Sequence, residues 1–165
     1  MIVFRKGLLA CCLVWACPVC AETVTGSVAA LAVVDANCRM SGGSLNFGAY
    51  DPLVTNASAP LDGEGSFSIT CAKGTTAVIS ISPGENSAHA VGTSRAMSSG
   101  SAYLSYDLFT AANRSTVWST LNTVTYLSTS KNATNTLSVW GRIPPGQNVP
   151  GGVTYSDVVT VTAAF

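Results

Sequence analysis

The sequence predicts an all-β protein, a sandwich of short antiparallel strands preceded by one long strand with no local partner. Three observations carry this. Apolar and polar residues alternate in short runs separated by clusters of Gly, Pro, Asn and Ser. Only 10% of the residues are charged, while Ser, Thr and Val abound, a composition suited to strands and turns rather than surface helices. No segment holds a helical period beyond a single turn.

The chain opens with Arg5 and Lys6, an apolar run and the small-residue ending Val19-Cys20-Ala21, the layout of a secretory signal over residues 1–21. The run is far shorter than the roughly 20 apolar residues of a spanning helix. Cleavage after Ala21 leaves a chain of one-domain size, residues 22–165, with a small excess of acid. Cys11 and Cys17 also sit in lipoprotein-like contexts, so removal by signal peptidase I and lipidation both stand. Cys17 and Cys20 match a redox C-x-x-C pattern without the surrounding βαβ unit that such chemistry uses.

Residues 22–37 alternate along their whole length. Val24, Gly26, Val28, Ala30, Ala32 and Val34 fall on one face; Thr23, Thr25, Ser27, Ala29, Leu31 and Val33 fall on the other. No Asn-Gly or Asp-Gly turn folds this strand back on the segment after it. Its backbone groups therefore need a sheet from elsewhere.

Of six cysteines, four lie in the leader, leaving Cys38 and Cys71 to form one disulfide in an exported protein. In the chain-entropy model that closure contributes roughly 3.7 kcal/mol. Ser41, Gly42, Gly43 and Ser44 read as a turn into a short strand carrying Leu45 and Phe47. Residues 51–65 read as a loop. Phe67, Ile69 and Cys71 share an inward face, as do Ala77, Ile79 and Ile81. Residues 85–101 read as a polar loop, and Leu104, Tyr106 and Leu108 resume the alternation. Residues 111–114 read as a turn, and 124–127 and 137–141 as two short strands. In the last strand, 155–165, Tyr155, Val159, Val161, Ala163 and Phe165 line one face.

Reactive chemistry finds little footing. His89, the only histidine, lies in a Ser/Ala loop, and a formal Ser87, His89, Asp107 set has nothing in the sequence to orient the imidazole. The carboxylates are scattered, no metal-ligand spacing occurs, and Lys73-Gly74-Thr75 lacks the glycines of a phosphate loop. No cofactor motif is present, and without a basic run there is no footprint for nucleic acid. Asn56, Asn113 and Asn132 fit the N-glycosylation pattern, which arises readily by chance in so Ser- and Thr-rich a chain.

Taken in order, VTGSV at 24–28, LNFGAY at 45–50, ITC at 69–71, LSYDLF at 104–109 followed by TVW at 116–118, VWGRIP at 139–144 and the terminal run 155–165 resemble the spore coat protein U family. Members of that family include pilins of the archaic chaperone-usher pathway. Leu108-Phe109 stands where the family usually has Leu-Tyr, and Ser119 where Gly commonly follows the Trp.

The resemblance implies an incomplete immunoglobulin-like β-sandwich, residues 38–165, completed by a donor strand from a neighbouring subunit. Residues 22–37 would be this chain's own donor strand, with Val24, Gly26, Val28, Ala30, Ala32 and Val34 entering the neighbour's groove, a burial worth roughly 5 to 9 kcal/mol as an upper figure. A one-residue slip would present Leu31 and Val33 instead. Val159, Val161, Ala163 and Phe165 would line the acceptor groove. The implied partners are a periplasmic pilus chaperone, an outer-membrane usher and identical or related pilins joined head to tail into a filament for attachment and biofilm formation. The protein would pass through the periplasm to the cell surface and catalyse nothing. A secreted coat protein that forms no pilus, or a tip or adaptor adhesin, is the alternative of the same fold.

Overall fold

A computed structural model describes residues 22–131 and 133–165. The leader, and with it the signal and lipidation readings, lies outside the described residues. Residues 34–165 form one compact unit, and the stretch before Val34 is a separate one.

Among the described residues eight strands build two sheets: β1 (Cys38–Leu45), β2 (Leu61–Cys71), β3 (Thr76–Ile81), β4 (Arg95–Ser99), β5 (Ala102–Phe109), β6 (Val124–Leu127), β7 (Asn135–Ile143) and β8 (Val161–Ala164). One sheet has the order β1-β2-β7-β5-β4, the other β6-β3-β8, and every ladder is antiparallel. The protein is thus an all-β sandwich whose only described helices are two three-residue 3-10 turns.

The alternating runs place the core as expected. Phe67, Ile69 and Cys71 of β2, Ala77, Ile79 and Ile81 of β3, and Leu104, Tyr106 and Leu108 of β5 are all buried. Trp118 fills the space between the sheets, its indole N–H donating to the Ile79 carbonyl at 3.0 Å and its ring 6.0 Å from that of Phe67. A buried indole with its donor satisfied gives apolar area without leaving an unpaired group.

Several boundaries differ from the sequence reading. Ser41-Gly42-Gly43-Ser44 is a β-bulge inside β1, not a turn: Ser41 pairs with Ser68 and Ser44 with Ser66, so three steps on β1 match two on β2. Only glycine suits position 43, because a Cβ there would fall on the Ser66 carbonyl. The chain turns later, at Gly48 (φ +79°), whose N–H bonds Asn46 Oδ1 at 2.9 Å.

β2 starts at Leu61, inside the expected loop, where Asp62 pairs with Arg142 across the ladder. The polar loop over 85–101 contains β4, closed onto β5 by the two-residue turn Gly100-Ser101 with φ +63° at Gly100. The terminal strand keeps its alternation from Tyr155 onward but is a ladder only over Val161–Ala164. The strand expected over residues 22–37 is not formed. Those residues are exposed throughout and carry no ladder, since an extended segment without a partner has nothing to bond.

Candidate functional site

The two sheets do not close along one seam. Among the described residues β1 pairs only with β2, and β8 only with β3, so each presents an open edge. Between these edges lies a cavity of about 280 Å³ floored by Phe67, Ile81, Leu108 and Val139 and walled by β1 on one side and Val159 and Val161 on the other. Its lining is core: these side chains alternate inward from four strands and are themselves buried, so the cavity opens directly onto the interior of the sandwich.

The opening continues along the chain in reverse. A second hollow shares Gly43, Ser44, Leu45, Leu108 and Val159 with the first and reaches Tyr155 and Asp157. A third shares Leu45, Phe47, Met97 and Tyr155 and ends at Pro52, Val149 and Val153. Together they form one groove running from Val161 to the loop before Tyr155.

Glycines make room for two of the side chains that line the groove. Leu45 and Phe47 cross above Gly63, Gly65 and Gly141; a Cβ on Gly141 would stand 2.7 Å from Phe47 Cε1 and 3.0 Å from Leu45 Cδ1. The Phe47 ring meets Tyr106 edge-on at 5.9 Å. The Tyr106 hydroxyl donates to Asp157 Oδ2 at 2.8 Å; burial first, then this bond, raises the phenol pKa so that it stays a donor. Asp157 Oδ1 accepts from the Glu85 N–H and from Asn86 Nδ2, each at 3.1 Å.

Arg95, almost fully buried, holds the far side of the core. Its Nε and Nη2 donate to the Ser82 carbonyl at 3.0 and 2.9 Å, and Nη2 also to the Trp118 carbonyl at 2.6 Å. Burial lowers its pKa, while Tyr106, Asp107 and Asp157 oppose that change. In the sequence this residue belongs to a polar loop. An arginine inside a Gly/Ser-rich stretch carries no local signal that buried carbonyls await it.

The structure places each residue singled out from sequence. Cys38 and Cys71 are bonded to each other. Val24, Gly26, Val28, Ala30, Ala32 and Val34 are exposed. Val159 and Val161 line the groove, Ala163 packs on the core beside it, and Phe165 is 57% exposed beyond it. From sequence the groove floor reads only as core, because nothing local marks where a core is left open.

The formal Ser87, His89, Asp107 set is not assembled. The His89 ring stacks on Tyr103 at 3.7 Å, and Asp107 Oδ1 accepts from the Ser94 N–H at 2.8 Å. Of the glycosylation matches, Asn56 is buried and bonded within its loop, and Asn132 lies outside the described residues. No described cluster of His, Cys, Asp or Glu could hold a metal.

Comparison with known proteins agrees with this geometry. Protein U of Myxococcus xanthus is 35% identical over 159 residues, 90% of this chain and 88% of that protein. A crystal structure of the CsuC–CsuE chaperone–tip adhesion subunit pre-assembly complex, from the archaic chaperone-usher Csu pili of Acinetobacter baumannii, aligns with a TM-score of 0.53 and 26% identity. That alignment covers 80% of this chain but only 40% of the solved one. The model of the Spore Coat Protein U domain matches residues 24–162, and the chain belongs to that family.

Proposed function

We propose that this protein is a structural subunit of a surface pilus, assembled by a chaperone-usher pathway of the archaic type through donor-strand exchange and serving attachment and biofilm formation. The observation that carries the reading is the open seam: an apolar groove floored by four core side chains between two unpaired strand edges. Such an edge offers backbone donors and acceptors to any extended segment, and the hollows beneath it accept alternate side chains. Residues 22–37 have the matching form, exposed and apolar at every second position. We assign 22–37 as the donor strand and 38–165 as the acceptor domain, with Val159 and Val161 in the groove and Ala163 and Phe165 at its end.

Arm and groove belong to opposite roles on each copy, so the contact between copies is heterologous and extends into a filament. A periplasmic chaperone would fill the groove before assembly, and an outer-membrane usher would catalyse the exchange. The similarity to a chaperone-bound pilus subunit supports these partners. The test is electron microscopy of cells producing the protein with its chaperone and usher. Fibres from the full chain, and none from a chain lacking 22–37 that still co-purifies with chaperone, are expected. Normal fibres from the truncated chain would refute the donor role.

A coat protein that forms no pilus is the second reading, favoured by the match to the Spore Coat Protein U domain over residues 24–162 and by similarity to Protein U along nearly the whole of both chains. It predicts deposition at the surface that does not depend on the usher.

A further inference from the structure

Leu53 and Val54 are adjacent aliphatic residues, 86% and 75% exposed, yet the loop that carries them is tightly fixed. Asp51 Oδ1 accepts from both their N–H groups at 3.0 and 3.1 Å, and Asn56, buried beneath, accepts from the Asp51 N–H at 3.0 Å. A fixed loop presenting apolar side chains to water is a contact surface in waiting. Its place is the end of the groove, where Pro52 and the half-exposed Val153 line the last hollow.

The length of the arm says what reaches it. If Val34 is seated, only Asp35, Ala36 and Asn37 separate it from Cys38, which is fixed to β2 by its disulfide. Four chain steps span at most about 14 Å, so the body that owns the arm must stand directly against the groove's mouth. Every ladder of this sandwich is antiparallel, and an arm added antiparallel to β8 leaves the groove at the Tyr155 end, beside Pro52 and Val153.

We infer that Leu53, Val54 and Val153 form a second contact between successive copies of this chain, body against body, which sets the angle of the joint and stiffens it. This rests on the donor-strand reading but concerns a surface outside the groove floor. The experiment is electron microscopy of fibres from the full chain and from a Leu53→Asp, Val54→Asp variant, measuring yield and persistence length. Both positions are exposed, so the variant folds. Expected are fibres in normal yield with a shorter persistence length. Unchanged persistence length overturns the second contact and leaves the groove reading standing, whereas the absence of fibres from the unmodified chain overturns both.

Discussion

Tyr106, buried on β5, and Asp157, on the stretch that walls the groove, are joined by a 2.8 Å hydrogen bond from hydroxyl to carboxylate. It links the interior of the larger sheet to the segment leading into β8, which is also held by the Ser98–Ser156 bridge, by the bonds that Glu85 and Asn86 donate to Asp157, and by the paired bonds between Ser82 and Thr160. Tyr106→Phe removes the donor and leaves Asp157 Oδ2 short of a partner. The expected loss is about 1 to 2 kcal/mol in urea denaturation, with the fold retained.

Which face of the arm enters the groove is decided by two pairs of substitutions. Val24→Asp with Val28→Asp should abolish fibre formation, whereas Leu31→Asp with Val33→Asp should weaken it little. The reverse result would place the opposite face in the groove, since a slip of one residue exchanges them.

Gly141 lies beneath Phe47, and the added methyl of Gly141→Ala has no room. A destabilisation of about 1 to 3 kcal/mol is expected from displacing the ring. Because Phe47 also lines the groove, binding of a synthetic peptide of residues 22–37, read as a rise in melting temperature, should fall as well.

Asp62 binds Arg142 through two contacts of 2.6 and 2.8 Å and stands 3.4 Å from Arg114. The hydrogen bond from Arg142 lowers its pKa, opposed by partial burial and aided by the charges of both arginines. A carboxylate so depressed stabilises the fold above its unfolded value of 3.8, and that contribution is lost as the pH falls below it. The group is partly exposed, so the effect is small. Asp62→Asn should narrow the stability gap between pH 7 and pH 3, measured by denaturant midpoints.

Strands with a clean period of two were legible, as the inward sets at 67–71, 77–81 and 104–108 show. β4 was hidden, because its buried residues are Arg95 and Ala96, which satisfy no apolar template. Gly100-Ser101 was the local signal that could have revealed its hairpin. The Gly42-Gly43 bulge could not be told from a turn, because both use glycine and the difference lies in whether β2 continues opposite. The groove was invisible for another reason: alternation marks a residue as inward-facing and says nothing about whether a strand covers it.

The disulfide acquires a mechanical meaning in such a fibre. If copies join as proposed, tension along the filament would enter each subunit at Asn37, next to the rung that Cys38 and Cys71 form at the start of the β1–β2 ladder. Pulled from that end, an unbridged β1 would peel from β2 one rung at a time and take a wall of the subunit's own socket with it. The covalent rung diverts the load into β2 instead, so the joint nearest the strain is the one that cannot unzip.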